Sequence, residues 1–306
     1  MSEVKPFTTD ELFDNLKALA KRFRKLNGKQ TPAELYLVGG ASIMLNYSFR
    51  DMTYDIDAII RASSAMKDAI RDVSNEKNLP IDWLNTDFKN TESYSPNLIK
   101  YANYRCELSN VLRIYTISAE YLVAMKLMAG RSYKHDLSDV VGIVSEHNSV
   151  SENNKKQMLT LDTVKKAVID LYRDWNKLPK QSRDFIEIVF QQTDLESFRK
   201  KQQEQEKKAF ILLKEFEQQY PNRLKKSNVQ SVIENLKKRS YNNQSVSDPY
   251  YIKVESMEQI EKLKQANITL ESKETNDGRL IIRINKSDVD NVREILNKSK
   301  KNNRTI

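Results

Sequence analysis

The sequence predicts an α+β fold, and three observations lead there. Helix-period and strand-period segments alternate up to about His147, which argues for an α/β or α+β domain. From Thr160 to Ser240 the pattern reads as helix throughout. A final stretch then reads β-α-β-β-α. With polar segments at Asn148–Asn154 and Tyr241–Pro249 taken as linkers, the units are 1–150, 151–245 and 246–306.

Thr8-Thr9-Asp10-Glu11 reads as a capping box, and the helix behind it places Leu12, Leu16 and Leu19 on one face. Glu34–Val38 is a short apolar strand closed by Gly39-Gly40, and Ala41–Tyr47 a short helix. Strands follow at Tyr54–Ile60, Ile81–Leu84 and Val111–Thr116, with a helix at Ser64–Lys77. Ser118 opens a helix to Ala129, and Asp136–His147 is another after a break at Gly130–Lys134. Glu196–Gln219 reads as a long exposed helix packing on one side, with Phe198, Phe210, Leu213 and Phe216 as its apolar members. In the last unit Tyr250, Ile252 and Val254 alternate as a strand. Ser256 and Gln259 form a capping box, Asn276-Asp277-Gly278 marks a hairpin turn, and Ser287 caps the last helix. One face of that module's sheet is expected to lie open for a partner, and the basic tail Lys298–Arg304 to fray.

Composition excludes several classes. No apolar run nears the ~20 residues that span a bilayer, and Met1–Asp10 lacks the apolar core of a secretory signal, so a cytoplasmic protein is expected. Cys106 is the only cysteine and His135 and His147 the only histidines, which removes disulfide frameworks and cysteine or histidine-rich zinc sites. His135-Asp136 lacks the further histidines of an HD phosphohydrolase. The net charge of +9 tilts the partners toward phosphate-bearing molecules such as nucleotides or RNA.

The chemistry concentrates between Leu37 and Asp57. On a strand, Asp55 and Asp57 point to one face while Ile56 points to the other. Two like charges so placed repel unless a cation sits between them, and Mg²⁺ is commonly held by one or two carboxylates plus substrate phosphates. Gly39-Gly40 lets the backbone turn sharply beside a ligand, and the helix opening at Ala41 and Ser42 presents free N–H groups to an anion. Arg50 either meets phosphate or caps its loop. Lys126 lies within an apolar helix, so it needs an anion or a route to water. Asp136 and Asp139, three apart on the next helix, either orient Lys126, bind a second substrate, or pair with Arg131 or Lys134. Trp83, Tyr94, Tyr101 and Tyr104 either stack on a base or anchor the core.

Gly-Gly, then Thr-x-Asp-Ile-Asp, then Leu-x-Ala-Met-Lys-Leu-x-Ala-Gly-Arg and an Asp-Leu-x-Asp helix resemble the minimal, polymerase-β-like nucleotidyltransferases. The bacterial AbiEii-like and MenT-like toxins and related nucleotidyltransferases are the nearest in pattern. The resemblance spans roughly residues 30–147. It implies a nucleotidyltransferase-type mixed sheet with flanking helices. It also implies Mg²⁺ on Asp55 and Asp57, a triphosphate over Gly39 and Gly40, and Lys126 on phosphate. Many members of the family have Gly-Ser where this chain has Gly39-Gly40, so a serine-specific phosphate contact is not implied at that turn. The family's third carboxylate is not fixed by the pattern, and Asp82, Glu107 and Asp136 are the candidates.

The expected activity is Mg²⁺-dependent transfer of a nucleoside monophosphate from an NTP to a hydroxyl of RNA, such as a tRNA end, or of protein. By resemblance the setting is a toxin–antitoxin or phage-defence system, with an antitoxin protein as partner. The alternative is a non-catalytic RNA- or protein-binding protein on the same fold.

Overall fold

A computed structural model describes residues 6–154, 157–225, 228–245, 250–266, 268, 270–274, 280–284 and 288–302. The chain divides into two compact units, Met1–Ile211 and Leu212–Ile306.

The first unit opens with β1 (Phe7–Thr8) and α1 (Thr9–Asn27). The capping box forms: Thr8 Oγ1 accepts from the Glu11 amide, and the Glu11 carboxylate accepts from the Thr8 amide at 3.0 Å. Then come β2 (Ala33–Leu37), α2 (Gly39–Asn46), β3 (Met52–Thr53), β4 (Ile56–Arg61), α3 (Ala65–Lys77) and β5 (Leu84–Asn85). The expected strand at Ile81–Leu84 is displaced. Trp83 closes a turn onto the Pro80 carbonyl, Ile81 is 81% exposed, and pairing begins only at Leu84. After two 3₁₀ turns come β6 (Ala102–Leu108), β7 (Leu112–Ile117), α4 (Ala119–Ala129), α5 (Asp136–Asn154), α6 (Leu161–Tyr172), α7 (Lys180–Gln191) and α8 (Leu195–Gln219).

Five strands form one mixed sheet in the order β5-β4-β2-β7-β6. β2 runs parallel to β7 and β4 to β5, while β2–β4 and β6–β7 are antiparallel. Alternate residues of β2 serve two cores, as a two-sided sheet requires. Leu35 and Leu37 pack with Leu12, Leu16 and Leu19 of α1 and Val73 of α3. Tyr36, with Val38 beyond it, joins Leu122, Met125 and Leu127 of α4, Val140 and Val144 of α5, and Val164 and Val168 of α6.

The polar stretch at Asn148–Asn154 is not a linker but the last turns of α5. Asn148 ties it to the following segment, donating to the Leu159 carbonyl at 3.0 Å and accepting from the Leu159 amide at 2.7 Å. Polar composition does not separate a linker from a solvated helix end.

In the second unit, α9 (Val229–Ser245) takes in the first half of the other expected linker, and residues 246–249 lie outside the described residues. β8 (Tyr250–Val254), α10 (Met257–Gln265), β9 (Leu270–Glu274), β10 (Leu280–Ile284) and α11 (Val289–Asn302) follow in the expected β-α-β-β-α order. The strands pair antiparallel as β8-β10-β9. Val254, Ile282 and Ile284 are buried with Ile260, Leu263, Val292 and Leu296, while Lys253 and Arg283 are exposed. The Asn276–Gly278 turn, the Ser287 cap and residues 303–306 of the tail lie outside the described residues, and Lys298–Asn302 belongs to α11.

Candidate active site

The site begins where β2 meets α2. Gly39 has φ +55, a left-handed conformation that suits glycine, and its neighbour Val38 donates its amide to the Asp57 carbonyl at 2.9 Å. The bond ties the glycine turn to the start of β4. A Cβ built on Gly39 would lie 3.6 Å from Asp57 Oδ2, so the turn leaves open the space beside that carboxylate. Asp55 precedes β4 by one residue and is exposed, whereas Asp57, in β4, is half-buried. Burial, and then the charge of Asp55, push Asp57 up to about 6, against the pull of Lys126, Lys134 and Arg131. Tyr54, between Thr53 and Asp55, is 58% exposed.

Gly40 abuts the next wall. A Cβ there would meet Thr53 Oγ1 at 2.6 Å and Arg50 Nη2 at 2.9 Å. Arg50 forms a short ion pair with Asp139 and also donates to the Met52 carbonyl. Asp139 lies 2.9 Å from Lys126 Nζ, which donates to Asp136 Oδ1 at 2.9 Å. Asp136 in turn accepts from Arg131 through Nε at 2.6 Å and Nη2 at 3.2 Å. Arg50, Lys126, Arg131, Asp136 and Asp139 thus form one chain of ion pairs, with three cations against two carboxylates.

This arrangement answers how a buried lysine is tolerated. Burial opposes its charge, but Asp136 and Asp139 outweigh burial and hold its pKa above the ordinary value. Asp136 is wholly buried, yet Lys126 and Arg131 hold it far below the usual carboxylate range. The single surplus charge and the neighbouring Lys134 act on the Asp55/Asp57 pair. Lys126, Arg131 and Lys134 all favour ionised Asp57, and Asp55 in turn favours protonated Lys134.

Asp55, Asp57, Gly39, Gly40, Arg50 and Lys126 therefore gather around one corner of the sheet. Ser42 does not join them. It is fully buried, and its hydroxyl accepts from the Ile117 amide at 3.0 Å, fastening α2 to the end of β7. Of the three candidates for a further carboxylate, Asp136 is consumed in ion pairs and Glu107 pairs with Arg113 at 3.1 Å. Asp82 is exposed on the turn before β5, and the residue opposite Asp57 on that strand is Asn85. Among the described residues no group of three His, Cys, Asp or Glu side chains is placed to hold a metal. A two-carboxylate site completed by substrate oxygens suits Mg²⁺. The aromatic candidates are engaged elsewhere: Trp83 is buried, Tyr101 stacks on Tyr121 at 3.7 Å, Tyr94 meets Phe88 edge-on, and Tyr104 meets Tyr115.

Sequence reasoning left two supporting carboxylates unnamed. Glu146 of α5 accepts from the Ser48 amide at 2.8 Å and the Phe49 amide at 3.1 Å, clipping the loop that carries Arg50. Glu206 of α8 accepts from the Leu137 amide at 3.0 Å, the Ser138 amide at 3.1 Å and the Ser138 hydroxyl at 2.5 Å. Glutamates are unremarkable in these helices, so no local signal marks either one.

A mixed α+β sheet with a glycine turn set against a paired-aspartate strand is the architecture of the nucleotidyltransferase class. Comparison with known families agrees: residues 14–183, more than half the chain, match the family described as nucleotidyltransferase of unknown function (DUF6036), and the chain belongs to that family. No curated protein and no solved structure matches the chain.

Proposed function

We propose that the protein is a Mg²⁺-dependent nucleotidyltransferase that moves a nucleoside monophosphate from an NTP to a hydroxyl of RNA, such as a tRNA end, or of protein. The observation that carries this is the Asp57 carboxylate, set beside the Gly39 turn and faced by the Lys126–Arg131 cation cluster. Asp55 and Asp57 would hold the metal, which when bound neutralises charge on the triphosphate as pyrophosphate leaves. Gly39 and Gly40 admit the phosphates close to the backbone. Arg50, Arg131 and Lys134 supply positive charge, and Lys126 steadies them through its two aspartates. Cations anchored before substrate arrives need little reorganisation during reaction. Resemblance to toxin nucleotidyltransferases extends the proposal to a toxin or phage-defence component with an antitoxin protein partner.

The test is calorimetric titration with ATP, CTP, GTP and UTP, with and without Mg²⁺. It is followed by incubation with total RNA or cell protein and each α-labelled triphosphate. Metal-dependent binding lost in Asp55→Ala, and label entering RNA or protein, support the reading. Undiminished transfer by the Asp55→Asn/Asp57→Asn variant excludes it.

A further inference from the structure

Helix α8 lies beyond the family match, which ends at residue 183, yet its side chains grip two walls of the site. Arg199 and Glu206 are seven residues apart, two helical turns, and so share a face. Arg199 lies over the Phe49 ring at 5.4 Å and donates to the Phe49 carbonyl at 3.5 Å, and Phe49 adjoins Arg50 in the chain. Glu206 is 1% exposed and caps the first turn of α5 through the Leu137 and Ser138 amides and the Ser138 hydroxyl. That same turn bears Asp136 and Asp139, the partners of Lys126, Arg131 and Arg50. A buried carboxylate is costly to keep, so one held on backbone amides beside two functional aspartates calls for a reason beyond packing.

We propose that α8 is a brace for the nucleotide site and that Glu206 is its positioning residue. By capping α5, Glu206 fixes the two aspartates that aim Lys126, Arg131 and Arg50, and Arg199 holds the loop on the other side. The functional half of this proposal rests on the nucleotidyltransferase reading.

Three full-length proteins decide it: wild type, Glu206→Gln and Glu206→Met. Glutamine keeps a carbonyl that accepts from both amides. Methionine fills the same volume with no strong acceptor: it removes a buried charge but leaves the Leu137 and Ser138 amides and the Ser138 hydroxyl without their acceptor, so Tm is measured for each variant. The readout is affinity for each of the four nucleoside triphosphates with Mg²⁺, together with amide exchange at Leu137 and Ser138. The Gln variant is expected within about twofold of wild type, and the Met variant about tenfold weaker, as for other supporting partners of a bound group. Equal affinities in the Gln and Met variants, whether kept or lost, overturn the brace. Failure of wild type to bind any triphosphate overturns the nucleotidyltransferase reading instead. Amide exchange then decides the brace alone: faster exchange at Leu137 and Ser138 in the Met variant than in the Gln variant upholds it, and equal exchange refutes it.

Discussion

Two pairs of aspartates stand a short distance apart and live under opposite electrostatics. Asp136 and Asp139, on the first turn of α5, are buried against three cations, and Asp136 is held far below the usual carboxylate range. Asp55 and Asp57, at the head of β4, form no ion pair among the described residues, and burial followed by the charge of Asp55 raises Asp57 to about 6. The helix pair is completed by the protein's own cations. The strand pair meets the cations Lys126, Lys134 and Arg131 only through longer-range attraction, and it is the pair to which the proposed Mg²⁺ is assigned.

The comparison breaks most visibly at Asp136. Asp136→Ala takes one of two carboxylates from the buried Lys126 and removes the partner of the part-exposed Arg131, and unfolding in denaturant should show a loss of about 3 kcal/mol. Asp57→Asn tests the other side. Metal-dependent triphosphate affinity, measured by calorimetry, should fall about a hundredfold, some 3 kcal/mol, with stability unchanged or slightly raised because a repulsion is relieved. Were Asp57→Asn to destabilise as Asp136→Ala does, the division of labour would be wrong. Gly40→Ala probes the seam between the pairs. The new methyl collides with Thr53 and Arg50, so a stability loss of about 1–3 kcal/mol should accompany weaker triphosphate binding.

The smallest effect is a change in pH dependence, a few degrees in Tm. Asp136 has a depressed pKa, so its contribution is present above the ordinary value of 3.8 and is lost as pH falls through the folded value. Glu206 runs the other way. Burial raises it from 4.5 to about 7, so the folded protein binds the extra proton, and the associated stability is full below 4.5 and lost as pH rises through about 7. Glu206→Gln should flatten the limb of Tm against pH between those values and leave the acid limb intact.

The legible part of this site is local. Residues three apart on a helix or adjacent in a turn declare their shared face through backbone period alone, and Asp136/Asp139 and Gly39-Gly40 are of that kind, whereas Asp55 lies one residue before β4 rather than on it with Asp57. The capping box at Thr8 and the three-strand module at the end are legible for the same reason. What escaped is non-local or unpatterned. β6 is a mostly polar edge strand with an irregularity between Tyr104 and Cys106, so it lacks alternation to detect. Ser42 follows the glycine turn as a phosphate-binding hydroxyl would, but only the neighbouring β7 reveals that it faces inward. Glu206 meets its partners across 68 residues of chain, a separation at which sequence offers no period to follow.

Gly142 lies three residues after Asp139 on α5, and the Phe49 ring occupies the space its side chain would take, with a Cβ landing 2.5 Å from that ring. Any larger residue must evict Phe49, and with it the loop bearing Arg50. A genetic screen for inactive variants should recover this glycine alongside the aspartates, and its mutants would pass for active-site lesions until a structure showed that the damage began at the Phe49 ring.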